Sequence, residues 1–393
     1  MVADVRSRTL PVLGLAALAL GSFAIGCTEF AAVALLPQVA ADLGVSQAAA
    51  GQLVTLNAVA VVVGAPVLGA FFAKRPPRAV VACALGVFAL AHVVAALASS
   101  YALVAATRFV SGAMFGLFLA VAFAAATRMA SSGRRATAMA IVQSGITAST
   151  ALGIPAGLAL GRVGDAGGWR IPFFVIAGLA VLAAAATVAW LPSLRADSGG
   201  VKARIGVLRD GRVLLGLATT AVFWGGSFGG LTYLVPYLGD RVGLSSGVII
   251  VVLALAGLLS VVGNFVGGAV ADRAPAIALV TAATAAAAGI VLLFGFGDNT
   301  GVALTGLAVW QLATWSFVPV VQSRVYQLGG SRGEAAVSYA IAAFNLGIVA
   351  GAALGGIALT MGGFTAVGAV SAGFALVAIG LSVAVNAVLS RGA

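Results

Sequence analysis

Long apolar runs, each about a bilayer crossing in length, follow one another along this chain, cut apart by short stretches of Gly, Pro and charge. A spanning helix needs about 20 apolar residues. With no water in the hydrocarbon, only structures that satisfy their own backbone groups can cross it. The runs fall at 10–37, 48–73, 79–99, 101–127, 136–161, 169–192, 213–239, 246–271, 276–297, 300–323, 335–361 and 364–389. They predict an all-α polytopic membrane protein with 12 transmembrane helices. Only 8% of the 393 residues are charged, against about 25% in a soluble domain, so a soluble class is excluded. Arg6 and Arg8 before an apolar run, with Ala24-Ile25-Gly26-Cys27 inside it, imitate a secretion signal. The run is too long for one and further spans follow, so it reads as an uncleaved first helix.

The basic residues test the count. With a cytoplasmic N-terminus, 17 Lys and Arg fall on one side and 3 (Arg162, Arg170, Arg241) on the other. That bias places both termini in the cytoplasm. It also assigns the formal net charge of +11 to orientation rather than to nucleic acid. Arg outnumbering Lys, with abundant Ala and Gly, suggests a bacterial source and hence a cytoplasmic (inner) membrane. Cys27 and Cys83 both lie in apolar runs, which leaves no disulfide framework or metal cluster.

The longest polar segment, 193–212, separates six spans from six. It reads as a cytoplasmic linker between bundles at 1–192 and 213–393, either a plain connector or a basic stretch on anionic lipid. The halves repeat at an offset of 199 residues: Pro37 matches Pro236, Gly44 Gly243, Ser46 Ser245, Gly64 Gly263, Gly69 Gly268 and Gly157 Gly356. Two pseudo-symmetric six-helix bundles are expected, with a substrate site between them near the midplane.

Four local patterns resemble the major facilitator superfamily, over essentially the whole chain. Gly263-Asn-Phe-Val-Gly267-Gly268-Ala-Val-Ala-Asp272-Arg273 is similar to its cytoplasmic Gly-rich loop. The first-half copy keeps Gly64, Gly69, Lys74 and Arg75, with Ala73 in place of the acid. Arg108-Phe-Val-Ser-Gly112 resembles the Arg-x-x-x-Gly motif linked to proton coupling, and Gly153-Ile-Pro155-Ala-Gly157 a shortened antiporter motif. Cys27-Thr28-Glu29-Phe30, Ala91-His92-Val93 and Gly168-Trp169-Arg170 resemble the twelve-span drug–proton antiporters, the sugar-efflux and chloramphenicol-export group in particular. The resemblance implies alternating access by two rocking halves.

Glu29 is the one acid placed within a span. A carboxylate there costs several kcal/mol unless paired, protonated or facing water, so Glu29 reads as a proton carrier, or else as a buried acid bonded to a neighbouring helix. It shares a helical face with Ser22, Gly26 and Val33, and Phe228 occupies its repeat position. Arg108, the one cation deep in a span, is either an electrostatic partner of Glu29 or bonded to backbone carbonyls. His92, the single histidine, either titrates with them or is a hydrogen-bonded structural residue. Asn57, Gln143 and Asn345 are interhelical glue or ligand contacts. Gln311 and Trp315 share a face, with Trp310 adjacent, and Trp224 and Phe228 share another. Aromatic rings beside amides suit a broad amphipathic ligand; the alternative is a lipid-facing belt.

The expected function is a proton-coupled efflux antiporter of small, mostly neutral or amphipathic molecules, drugs or sugars, with a sugar or metabolite importer or uniporter as the alternative. It would be monomeric, would take no cofactor beyond the proton gradient and would not be an enzyme.

Overall fold

The computed structural model describes residues 2–161, 168–194 and 206–391; within these, the side chains of 2–10, 30–34, 36–37, 47–48, 132, 154–155, 157–159, 161 and 246 are not described. Among the described residues there is no strand. The long helices are α1 (Val2–Asp42), α2 (Gln47–Phe71), α3 (Pro77–Leu97), α4 (Tyr101–Met129), α5 (Arg135–Gly161), α6 (Arg170–Trp190), α7 (Gly211–Leu231), α8 (Ser246–Arg273), α9 (Pro275–Gly295) and α10 (Thr300–Gly329). The helical stretch Gly333–Arg391 breaks at Gly362 and Gly363 into α11 (333–361) and α12 (364–391). Gly363 has φ +64°, a left-handed conformation that side-chain-bearing residues rarely adopt.

The polar residues between the runs start the helices. Ser46, Ser100, Asp210 and Asn299 each accept a hydrogen bond from a backbone N–H in the first turn of α2, α4, α7 and α10, which satisfies an otherwise orphaned donor. Pro77 and Pro275 occupy the first positions of α3 and α9, where a missing N–H costs nothing. Large apolar side chains point outward along these helices, among them Val67, Leu90, Leu258 and Leu376, while Ser22, Thr147, Ser260, Asn264 and Ser382 are fully enclosed. That distribution suits lipid as solvent, where small polar residues serve at helix contacts.

Two compact units divide the chain, Met1–Arg204 and Ile205–Ala393. In the first, α1 packs on α5, α2 on α4, and α3 on α4 and α6; in the second, α8 packs on α10 and α9 on α10, while α7 packs along the Gly333–Arg391 stretch. The expected linker, 193–212, lies largely outside the described residues; its described end is a 3-10 turn at Gly206–Arg209.

The repeat holds at backbone level. Gly44 and Gly243, at matching positions, have φ +64° and +79°. Ser46 and Ser245 follow with nearly identical dihedrals and begin α2 and α8. A Cβ on Gly64 would lie 2.4 Å from the Ala113 carbonyl oxygen, and one on Gly263 would lie 2.2 Å from that of Leu312. Both partners are 199 residues apart, so the α2/α4 and α8/α10 crossings are copies of one contact.

Two ends differ from the sequence expectation. Pro37 does not end its span: α1 runs on to Asp42 and closes with a bond from Val45 N to Ala40 O of 3.0 Å, the signature of a Schellman cap. The matching helix α7 stops at Leu231, short of 239, and continues as a turn Leu234–Pro236 and a π-helical turn Tyr237–Arg241. The proline with its missing N–H here coincides with a change of hydrogen-bond pattern.

Candidate functional site

A hydrogen-bond chain links α1, α3 and α4 inside the first unit. The Arg108 guanidinium donates from Nη1 to Thr28 Oγ1 at 2.8 Å. Thr28 Oγ1 also bonds His92 Nε2, and His92 Nδ1 lies 2.8 Å from the Phe88 carbonyl. A carbonyl only accepts, so Nδ1 carries the proton; Nε2 therefore accepts from the Thr28 hydroxyl, whose oxygen accepts from Arg108. The polarity of the chain thus runs from Arg108 through Thr28 and His92 to Phe88. All three side chains are buried, at 1–2% exposure. His92 is further held between Phe88 and Phe173, with ring centroids 4.2 and 5.6 Å away. Both ring nitrogens of His92 are thus engaged.

Among the described residues, no backbone carbonyl accepts from Arg108. Its Nε and Nη2 are buried and have no hydrogen-bond partner among the described residues. Glu29 follows Thr28 by one residue, about 100° further round the helix. It is half-buried and makes no hydrogen bond or ion pair with a described residue, although its charge and that of Arg108 interact through space. The pair is therefore coupled but not joined. A carboxyl group without a fixed partner gains or loses a proton without breaking a bond, and Arg108 holds two donors, unpartnered among the described residues, for the ionised form. The face shared by Glu29, Ser22 and Gly26 is not open: a Cβ on Gly26 would lie 2.1 Å from Ser149 Oγ and 3.2 Å from Ile146 Cα, so α5 covers α1 closely there. Val33 lies outside the described side chains.

The Arg-x-x-x-Gly spacing has a steric reason. A Cβ on Gly112 would lie 2.3 Å from the Asn57 carbonyl oxygen, and one on Gly116 would lie 2.6 Å from Ala65 N. These glycines let α4 press against α2. Asn57 itself is buried, and the Ser111 hydroxyl, bonded to the Arg108 carbonyl at 3.0 Å, lies 3.4 Å from its Oδ1. Gln143 is buried on α5 with Thr147.

In the second unit, α7, α10 and α11 bring aromatic rings together. Trp224 lies 5.5 Å from Phe228, 5.6 Å from Trp315 and 4.2 Å from Phe344, centroid to centroid. Trp224 and Trp315 are buried, so neither is a lipid-facing belt residue. Gln311 is buried one turn before Trp315, and Asn345 donates to the Ile341 carbonyl at 3.0 Å. Trp310 departs from this group: it packs against Phe294, at 6.4 Å, and Gly289, inside the α9/α10 contact.

Of the loop-motif residues, Gly69, Gly268 and Gly153 are buried, Arg75 and Arg273 are exposed and Asp272 is half-buried; the Pro155 and Gly157 side chains lie outside the described ones. At the opposite end of the first unit, Asp42 accepts from Trp169 Nε1 at 3.0 Å and from Arg170, which also donates to Ala98 O at 2.9 Å. The sequence reading missed Thr28. A signal was present: Arg108 and His92 both need partners, and Thr28 is a hydroxyl residue of the first span beside Glu29.

The model of the Major Facilitator Superfamily matches residues 18–336. The inner membrane transport protein YdhP of Escherichia coli (strain K12) is 32% identical over 373 residues, covering 94% of this chain and 95% of that protein. A chloramphenicol resistance protein of Streptomyces lividans is 32% identical over 373 residues, covering 93% and 94%. Among solved structures, the superfamily transporter FucP in its outward conformation superposes with a TM-score of 0.77 at 16% identity, over 95% of this chain and 98% of that one. The chain therefore belongs to the Major Facilitator Superfamily, as a multi-pass membrane transporter of small molecules and not an enzyme.

Proposed function

We propose that the chain is a proton-coupled efflux antiporter, exporting small, mostly neutral or amphipathic organic molecules. The observation that carries this reading is Glu29, an acid within a membrane helix with no hydrogen bond among the described residues, beside an Arg108 with two free donors. Protonated, Glu29 is neutral and suits lipid-level surroundings; ionised, it is drawn to Arg108. That switch biases α1 against α4, and alternating access couples it to substrate release. The export direction is supported by the relative named for chloramphenicol resistance. The aromatic and amide side chains Trp224, Phe228, Trp315, Gln311 and Asn345 are the proposed substrate contacts. The 17 to 3 basic bias supports cytoplasmic termini in a bacterial inner membrane. A monomer driven by the proton gradient alone suffices for this cycle.

The test is transport in proteoliposomes with an imposed pH gradient and radiolabelled chloramphenicol as probe. Antiport predicts uptake driven by an acidic interior. Uptake driven only by an acidic exterior would replace this reading with proton-coupled import.

A further inference from the structure

We propose that the basic end of the second unit holds a binding site for a phosphate-bearing anion, built around Arg324. A cavity of about 430 Å³ opens there among α7, α9, α10 and α12, lined by Arg212, Arg324, Gln327, Asn386 and Ser390 on its polar side. Leu328 and Leu389 form part of its apolar wall.

Arg324 is the centre of the argument. It is only 7% exposed, yet its partners are neutral amides: Nη1 donates to Gln327 Oε1 at 2.9 Å and Nη2 to Asn386 Oδ1 at 2.7 Å. Its Nε is buried without a partner among the described residues. Asn386 is itself anchored, donating to the Ala276 carbonyl at 2.8 Å, so the guanidinium is held in one orientation at the cavity wall. Among the described residues no carboxylate lines the cavity. Arg212, at the mouth, is 60% exposed and pairs with Asp210 at 3.3 Å. A buried guanidinium with no counter-charge is costly, and its planar fork of donors matches phosphate oxygens. The apolar wall beside it suits the glycerol shoulder of a phospholipid, and basic pockets at the cytoplasmic side of membrane proteins are places where anionic headgroups settle. A free phosphate needs the polar wall alone. The site is not inherited from the repeat, because Ala125 occupies the position 199 residues before Arg324. It also stands apart from Glu29 and Arg108, which belong to the other unit.

The experiment measures the thermal unfolding midpoint of the full chain in nanodiscs of phosphatidylcholine, of phosphatidylcholine with phosphatidylglycerol, and of phosphatidylcholine with inorganic phosphate in the buffer. A rise of several degrees with phosphatidylglycerol alone assigns a lipid headgroup; a rise with inorganic phosphate assigns a soluble anion. Arg324→Gln is expected to abolish the rise, and Arg134→Gln, a basic residue of the other unit, to keep it. Ser390→Phe narrows the cavity while keeping the Arg324 side chain and should abolish the rise even if Arg324→Gln does not fold. Absence of a rise with either anion, or a rise that survives both Arg324→Gln and Ser390→Phe, overturns the proposal.

Discussion

Replacing Thr28 by Val keeps the side-chain shape and removes the hydroxyl through which α1 holds Arg108 and His92. Two groups then lose their partners, Arg108 Nη1–H and His92 Nε2. With Nε and Nη2 already unpartnered, the guanidinium would have no side-chain acceptor among the described residues. In water-soluble proteins each buried orphan costs about 1–3 kcal/mol. Interhelical hydrogen bonds in membranes are worth less, about 0.6 kcal/mol on average and up to about 1.7, because helices separated in the membrane also find partners. A charged donor and two losses place Thr28→Val near the upper end, at about 1–2 kcal/mol. For a unit of this size that lowers the midpoint by about 2–8 °C, at roughly 2–4 °C per kcal/mol. Thr28→Ser keeps the hydroxyl and should stay within about 1 kcal/mol of the parent. The assay is thermal unfolding of the purified protein in detergent, with the three forms side by side. Equal midpoints for Thr28→Val and Thr28→Ser would refute the hydrogen-bond chain as a stabilising element.

Three further outcomes follow from the geometry. Gly112→Ala sets a Cβ 2.3 Å from the Asn57 carbonyl oxygen and should destabilise by about 1–3 kcal/mol, whereas Gly86→Ala, with nothing within 4 Å, should be neutral or stabilising by up to about 1 kcal/mol; unfolding midpoints compare them. The Arg170 hydrogen bond holds the Asp42 carboxyl below the usual aspartate range, so its contribution to stability is present above the ordinary aspartate pKa and is lost as pH falls through the lowered value; a midpoint-against-pH profile should lose that acid limb in Asp42→Asn. Single cysteines at Ser99 and Ser131, flanking α4, in a background without Cys27 and Cys83, should label from outside and inside respectively, and labelling from one side would contradict the proposed orientation.

The fold was legible because lipid imposes length and apolarity on every crossing, so hydropathy carried the helix count. Glycines at a fixed offset carried the repeat; what they touch, such as the Ala113 and Leu312 carbonyls, did not show in the spacing. Helix ends were less legible. Pro37 and Pro236 look alike in sequence, yet one lies inside α1 and the other in a turn after α7, because tertiary anchors such as Asp42–Arg170 decide how far a helix runs. Glu29 and Arg108 were legible as charges where charge is costly. Thr28 was not, since hydroxyls in helices usually bond their own backbone, as Thr107, Thr127, Thr147 and Thr150 do three residues back. Only the meeting of α1 with Arg108 of α4 and His92 of α3 draws Thr28 away from that habit. Trp310 sits apart from Trp224 and Trp315 for a related reason: adjacency in sequence to Gln311 puts it on another face of α10, against α9.

The central claim is that Glu29 carries the exchanged proton, and Glu29→Gln tests it most directly. The amide keeps size and most hydrogen bonding but cannot ionise, and it lowers the cost of insertion, so the variant should reach the membrane at normal levels. In proteoliposomes carrying an acidic interior, uptake of radiolabelled chloramphenicol is predicted to fall to the level seen without a gradient, while Glu29→Asp retains part of it. Gradient-driven uptake by Glu29→Gln at the parent rate would contradict the claim and leave Glu29 a structural residue.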